Sequence, residues 1–244
     1  MADLAGKVAL VTGSSSGIGA GVARRLAAEG MRVVVNSVRS VDEGESLAAE
    51  LEGATYLQAD VADQAQAVDL VQRTVDRMGG LDVLVNNAGT TVRIPHADLE
   101  AASPDIWRRI FDVNVIGTWQ LTVAAMPHLK ASGDGSVINV TSLAGVRPTG
   151  SSIPYAASKA ALNHLTRLLA AVVGPEVRVN AVAPGLISTP WTADWDDTHA
   201  AVQAMAPLRR SGEPDDMAEV VLALLRSRYT TGEVWISDGG MHLR

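Results

Sequence analysis

Cysteine does not occur in the 244 residues, which excludes disulfides, a thiol nucleophile and a thiolate metal site, and nothing demands an oxidising compartment. Aromatic residues are few: one Phe, three Tyr and five Trp amount to 4% of the chain. The apolar 47% therefore comes chiefly from Ala, Val and Leu, the composition of helices packed on a parallel sheet. Lysine is rarer still, occurring only at Lys7, Lys130 and Lys159, so arginine fills the other basic positions. A positive balance is also missing. The net charge of -7 and the pI near 5.2 argue against nucleic acid or an anionic membrane as the main partner. No apolar run reaches the roughly 20 residues that span a bilayer, and residues 1–7 lack the basic-then-apolar order of a signal peptide, so a cytoplasmic protein is expected.

What is present is a recurrence. Short Val- and Ile-rich runs at 8–12, 32–36, 55–58, 83–86, 136–141, 178–182 and 232–236 alternate with helix-like stretches, the pattern of successive βαβ units. This predicts one α/β domain over 1–244, a doubly wound seven-stranded parallel sheet with helices on both faces. The stretch 101–131 reads as one long helix or nearly so, ended by Ser132-Gly133-Asp134-Gly135, and 152–173 as another, stopped by Gly174-Pro175. Between 186 and 210 the periodicity weakens and Trp191, Trp195, Asp194, Asp196 and Asp197 appear, so this segment is expected to be a mobile substrate-binding lid. The acidic group with His199 reads as a solvated lid, and no metal is expected. Asn139-Val140-Thr141 fits a glycosylation triplet but falls in an expected buried strand and is discounted.

Two constellations carry chemistry. After the first run comes Thr12-Gly13-Ser14-Ser15-Ser16-Gly17-Ile18-Gly19, leading into a helical stretch over 20–30. Glycines there allow a tight turn and close approach of a pyrophosphate to the backbone. The following helix supplies N–H groups and a positive dipole end for the phosphates. No lysine follows Gly19, so this is a dinucleotide turn rather than a P-loop. Farther along, Tyr155 and Lys159 stand four residues apart on the second long helix, so phenol and ammonium share a face. A phenol titrates near ~10, and a cation one turn away favours its anion; each unit of lowering corresponds to ~1.4 kcal/mol. A Tyr155 pKa lowered by Lys159, in a redox enzyme, is the expectation.

Thr12-Gly13-x-x-x-Gly17-x-Gly19, Asn86-Asn87-Ala88-Gly89, Asn114, Ser142, Tyr155-x-x-x-Lys159 and Pro184-Gly185 occur in the order seen in short-chain dehydrogenases/reductases. Over 4–240 the chain resembles the bacterial subgroup of 3-oxoacyl-(acyl-carrier-protein) reductases and related carbonyl reductases. The resemblance implies a Rossmann-type fold, assembly as a homotetramer or homodimer, and hydride transfer between a nicotinamide and a carbonyl or secondary alcohol. It implies Tyr155 as general acid or base, Ser142 as hydrogen-bond partner of the same substrate oxygen, Lys159 as ligand of the nicotinamide ribose, and Asn114 as holder of a water linking Lys159 to solvent. Gly13, Ser15, Ser16, Gly17, Ile18 and Gly19 would cradle the pyrophosphate. Asp60 and Val61 would meet the adenine, with Asn87, Ala88 and Gly89 beside the adenosine ribose. Ile187 and Thr189, after Pro184-Gly185, would bind the carboxamide.

The choice of cofactor turns on the end of the second strand, which reads Val35-Asn36-Ser37-Val38-Arg39-Ser40 with no acid before Asp42. A carboxylate there would accept from the ribose hydroxyls of NAD and repel a 2′-phosphate. The donors and the cation present favour NADP(H), with Arg39 as the main phosphate contact and Asn36, Ser37 and Ser40 assisting; NAD(H) is the alternative. Substrate identity rests on 90–96, 143–153 and 186–205, where Ile94, Leu143, Val146, Ile153, Trp191 and Trp195 suit an apolar or mixed small-molecule ketone or alcohol. Arg93, Arg147, Arg209 and Arg210 could form a basic rim for an acidic acyl carrier. The alternatives are a 3-oxoacyl-thioester reductase of the same class and a catalytically silent dinucleotide-binding scaffold.

Overall fold

The computed structural model describes residues 4–244; the expectations for residues 1–7 and for a domain beginning at residue 1 fall in part on Met1, Ala2 and Asp3, outside the described residues. Seven strands, β1 Val8–Val11, β2 Arg32–Ser37, β3 Thr55–Gln58, β4 Val83–Asn86, β5 Gly135–Val140, β6 Val177–Pro184 and β7 Val234–Ser237, form one sheet in the order β3-β2-β1-β4-β5-β6-β7. Every pairing is parallel. The central strands are buried on both faces, which is why their sequences are continuous apolar runs rather than alternating ones. In β1, Ala9 and Val11 face one core and Val8 and Leu10 the other.

The first core is closed by α1 Gly17–Ala28, α2 Val41–Glu50 and α8 Pro214–Arg226, the second by α3 Gln64–Met78, α5 Thr118–Ala131 and α6 Ile153–Val173. Leu10, Leu84 and Ile138 are wholly buried between these layers, each contributing about 1.5–3 kcal/mol relative to an exposed side chain. The sheet is therefore a rigid platform. Its order reverses between β1 and β4, and the carboxyl ends of the strands open a crevice at that switch point. No helix among the described residues is long and apolar enough to cross a membrane.

One expectation needs correction. The stretch 101–131 is not one α-helix: α4 Pro104–Phe111, capped by Ser103, passes into a π-helical segment Asp112–Gly117 before α5 begins. The segment 186–210, where the periodicity weakens, nevertheless holds regular structure: a 3-10 turn Pro190–Thr192 and helix α7 Asp196–Met205 lie within it. α7 buries only Val202, so its apolar periodicity is too shallow to read.

Candidate active site

Ser152 starts α6, its hydroxyl accepting from the backbone N–H of Tyr155 at 3.4 Å, so the cap fixes the turn that carries the phenol. Ser158 Oγ donates to the Tyr155 carbonyl at 2.7 Å. One turn on, Lys159 is 4% exposed and its ammonium donates to the Val140 carbonyl, the last residue of β5, at 2.9 Å. Ser142 lies two residues beyond that strand end. Its hydroxyl accepts from Ala144 N, and the turn it opens is tied to α6 by Asn163 Nδ2 donating to the Gly145 carbonyl at 3.0 Å. Ser142, Tyr155 and Lys159 thus meet where β5 and α6 converge.

The electrostatics differ from expectation. Burial pushes the Tyr155 phenol above its ordinary value, while hydrogen bonding with Ser142 pulls it back. The Lys159 ammonium stands 5.7 Å from the phenol ring centroid, and burial lowers Lys159 itself to about 8. In the ligand-free chain the phenol stays protonated.

Asn114 sits in the π segment, fully buried. Its Oδ1 accepts from Thr90 N at 2.8 Å, and its Nδ2 donates to the Thr90 carbonyl at 3.1 Å and to Ser158 Oγ at 3.0 Å. The side chain thus braces the loop after β4 against α6. The extra residue of the π turn aims this asparagine inward, as π segments at functional sites do. A Cβ on Gly89 would lie 3.4 Å from Asn114 Oδ1 and 3.6 Å from Lys159 Nζ, so Gly89 belongs to the same floor.

The glycine turn stands across the crevice. Gly13 has φ +60°, and a Cβ there would come within 2.9 Å of Ala88, so backbone passes close to backbone at this point. Ser14 turns inward, donating to Val11 O, whereas Gly13, Ser15, Ser16, Gly17 and Ile18 line the cleft; Gly19 is buried behind them. Asn87 Nδ2 donates to the carbonyls of Thr12 and Gly13, making its side chain a brace for the turn. Asp60, Val61, Ala88, Gly89, Pro184, Gly185, Ile187 and Thr189 all face the same cleft. This cradle suits a dinucleotide: glycine-bounded backbone at one end, a buried ammonium at the other.

Around the 2′ position the donors are fewer than the sequence suggests. Asn36 Nδ2 gives both its protons to the carbonyls of Leu57 and Ala59, and its Oδ1 accepts from Gly13 N, leaving no donor for a phosphate. Ser37 Oγ donates to the Ser40 carbonyl at 2.9 Å and lies 2.9 Å from the Tyr56 hydroxyl. Arg39 and Ser40 remain exposed on the cleft, and Arg39 makes no ion pair among the described residues.

The whole cleft measures 1380 Å³, more than the roughly 300–1,000 Å³ of a single small-molecule site, as a dinucleotide plus a second molecule requires. Trp191 stands edge-on to Tyr155 at 6.5 Å, and Arg93 lies over the Trp195 ring at 4.9 Å, so the 186–210 segment meets the phenol through one aromatic contact and the loop after β4 through a cation-π contact. His199 ties that segment down, contacting Ser211 Oγ and the Thr192 carbonyl. Of the expected rim, Arg93 lines the cleft and Arg210 is paired with Asp216. Sequence reading missed Asp105, Arg108, Arg109 and Asp112 at the mouth. Their spacing on one helical face a turn before Asn114 was the available signal.

Residues 13–242 match the sequence model of the family described as Enoyl-(Acyl carrier protein) reductase. A Streptomyces violaceoruber protein named "Granaticin polyketide synthase putative ketoacyl reductase 2" is 63% identical over 239 residues, 97% of this chain and 96% of that protein. The chain belongs to the short-chain dehydrogenase/reductase family. The 3-alpha-(or 20-beta)-hydroxysteroid dehydrogenase of Mycobacterium tuberculosis (strain ATCC 25618 / H37Rv) is 38% identical over 241 residues, 97% of this chain and 90% of its own length. The solved structure of a "putative short-chain dehydrogenase/reductase from Burkholderia xenovorans" superposes with a TM-score of 0.92 at 36% identity, covering 98% of both chains. This short-chain dehydrogenase/reductase is an oxidoreductase of keto and hydroxy groups that uses an NAD(P)(H) cofactor.

Proposed function

We propose that this enzyme is an NADP(H)-dependent ketone reductase. The observation that carries the reading is the convergence of Ser142, Tyr155 and Lys159 on one cleft with the glycine turn. Lys159, with Asn114 bracing the elements behind it, floors the nicotinamide end, the 13–19 turn holds the pyrophosphate, and Arg39 with Ser40 takes the 2′-phosphate. The bound nicotinamide supplies hydride to the carbonyl carbon. Tyr155 Oη gives its proton to the carbonyl oxygen, and the Ser142 hydroxyl hydrogen-bonds that oxygen and holds it near the phenol. A phenol kept protonated by burial suits proton donation to a carbonyl oxygen.

The substrate is a β-keto acyl or cyclised polyketide-type ketone. Ile94, Leu143 and Val202 give the cleft apolar walls, and the 63% identical relative is named a ketoacyl reductase of a polyketide synthase. Exposed Ile116 in the π segment with Trp119 and Val123 on α5, and Leu168 and Val172 on one face of α6, are covered by a second copy of the chain in a homo-oligomer. The test is parallel titration with NADPH and NADH, followed by turnover of a β-keto thioester, a bicyclic ketone and a simple ketone by the wild type and Tyr155→Phe. Tight NADPH binding and turnover reduced about 10²–10⁴-fold in Tyr155→Phe, with cofactor affinity within a few-fold, are expected. Substantial residual turnover in that variant removes Tyr155 from the acid role. Failure to bind either nucleotide undoes the whole reading.

A further inference from the structure

The segment facing the 2′ position is the turn 37–40 between β2 and α2, and its supports come from the neighbouring strand. β3 pairs with β2 so that Ser37 lies opposite Gln58 and Val35 opposite Tyr56. From there the Tyr56 hydroxyl reaches Ser37 Oγ at 2.9 Å and the Ser37 carbonyl at 3.5 Å. Because Ser37 spends its one proton on the Ser40 carbonyl at 2.9 Å, Tyr56 is the donor in the hydroxyl pair. Gln58 Nε2 donates to the Val38 carbonyl at 3.0 Å. The turn is therefore held at Ser37, Val38 and Ser40, and Arg39 stands between the held points with its guanidinium free of any ion pair among the described residues.

α2 makes room for this arrangement. A Cβ on Gly44 would sit 2.3 Å from Tyr56 Cε2. A glycine inside a helix costs roughly 0.5–1 kcal/mol relative to alanine, and here it admits the tyrosine ring. Asn36 and Ser37, which a sequence would offer to the phosphate, instead lock the backbone.

We infer that Tyr56 and Gln58 are positioning residues for cofactor discrimination: they hold the 37–40 turn in the shape that presents Arg39 and Ser40 to a 2′-phosphate, without touching it themselves. The inference rests on the NADP(H) reading. Arg39 has a long, rotamer-rich side chain, and a turn fixed beforehand lowers the ordering cost of binding through it. A ribose bearing only hydroxyls draws nothing from that arrangement.

The experiment is calorimetric titration of NADPH and NADH into the full-length wild type, Arg39→Ala, Tyr56→Phe, Gln58→Ala and the Arg39→Ala/Tyr56→Phe double variant, with a thermal melt of each. A selective wild type is expected, with NADPH weakened about five- to tenfold in Tyr56→Phe and NADH changed less than twofold. Gln58→Ala moves the NADPH/NADH ratio in the same direction, and Tyr56→Phe adds no further selective loss once Arg39 is gone. A merely structural role would weaken both nucleotides together. A wild type that binds both equally refutes the cofactor reading, and the inference with it. A selective wild type whose Tyr56→Phe and Gln58→Ala variants keep the full ratio refutes the inference alone.

Discussion

Lys159 donates to the Val140 carbonyl, yet it is 4% exposed, and no carboxylate among the described residues offsets the burial that brings it to about 8. An ordinary lysine titrates near ~10.4, so the folded chain holds this proton less tightly than the unfolded one while remaining mostly charged at neutral pH. The charged form is present below about 8 and is lost as pH rises through that value. For NADPH, kcat/KM reports the free enzyme, so it should fall about tenfold per unit above about pH 8. Lys159→Arg, whose guanidinium keeps its proton, should lack that limb at a lower plateau; an unchanged limb in the variant assigns it to another group. Between about 8 and ~10.4 the unfolded chain binds the extra proton, so this group's contribution makes stability rise with pH. The residue types of the site were legible from spacing: the Tyr155/Lys159 pair on one helix face, and glycines at a strand-to-helix turn. Side-chain direction was not. Asn36 and Ser37 look like phosphate donors in a list of polar residues, and only the neighbouring strand reveals that their protons go to backbone carbonyls.

At the scale of elements, the π segment Asp112–Gly117 joins both halves of the site. Asn114 on it holds Thr90 and Ser158, Gly117 packs against the chain at Val61, and Gln120 Nε2 donates to the Val61 carbonyl. A Cβ on Gly117 would lie 2.9 Å from the Val61 carbonyl oxygen, which is backbone and cannot swing aside. Gly117→Ala sets two effects of opposite sign against each other. Helix propensity would stabilise the protein by about 1 kcal/mol, while overpacking costs about 1–3 kcal/mol. A net loss is expected, with both nucleotides weakened alike because the Val61 edge is shared; a raised melting temperature with unchanged affinities would show that the contact has slack. Strand positions were readable to within two residues because continuous valine runs leave no alternative face to choose. The π interruption was not, because one extra residue in a long helical pattern leaves the apolar spacing on either side almost intact. α7 escaped notice for the opposite reason, an amphipathicity too slight to register.

At the scale of the whole molecule, the sheet sequesters its apolar content on both sides, so apolar residues left outside are conspicuous. Ile116 at the end of the π segment and Trp119 and Val123 on α5 repeat at helical spacing, and Leu168 and Val172 do so along α6, which packs beside the π segment. A glutamate at Trp119 combined with one at Leu168 should reduce the mass measured by light scattering to that of a smaller assembly, while the fold survives because neither side chain belongs to either core. An unchanged mass would place the contact on another face. That the chain forms one parallel sheet covered on both faces was legible at this scale from the alternation of strand and helix; the strand order and the layer each helix joins were not. The outward face was not, since a stripe left exposed has the same spacing as one that meets its own core.

The contact between Gly44 and Tyr56 also constrains history. Any other residue at 44 forces the ring to shift while the tyrosine stands, so a lineage drifting toward a sturdier α2 is better served by losing the ring at 56 first. The two changes are cheap in one order and cost about 1–3 kcal/mol of overpacking in the reverse. In a randomised library of both positions, side chains larger than glycine at 44 should be recovered chiefly together with a shortened residue at 56.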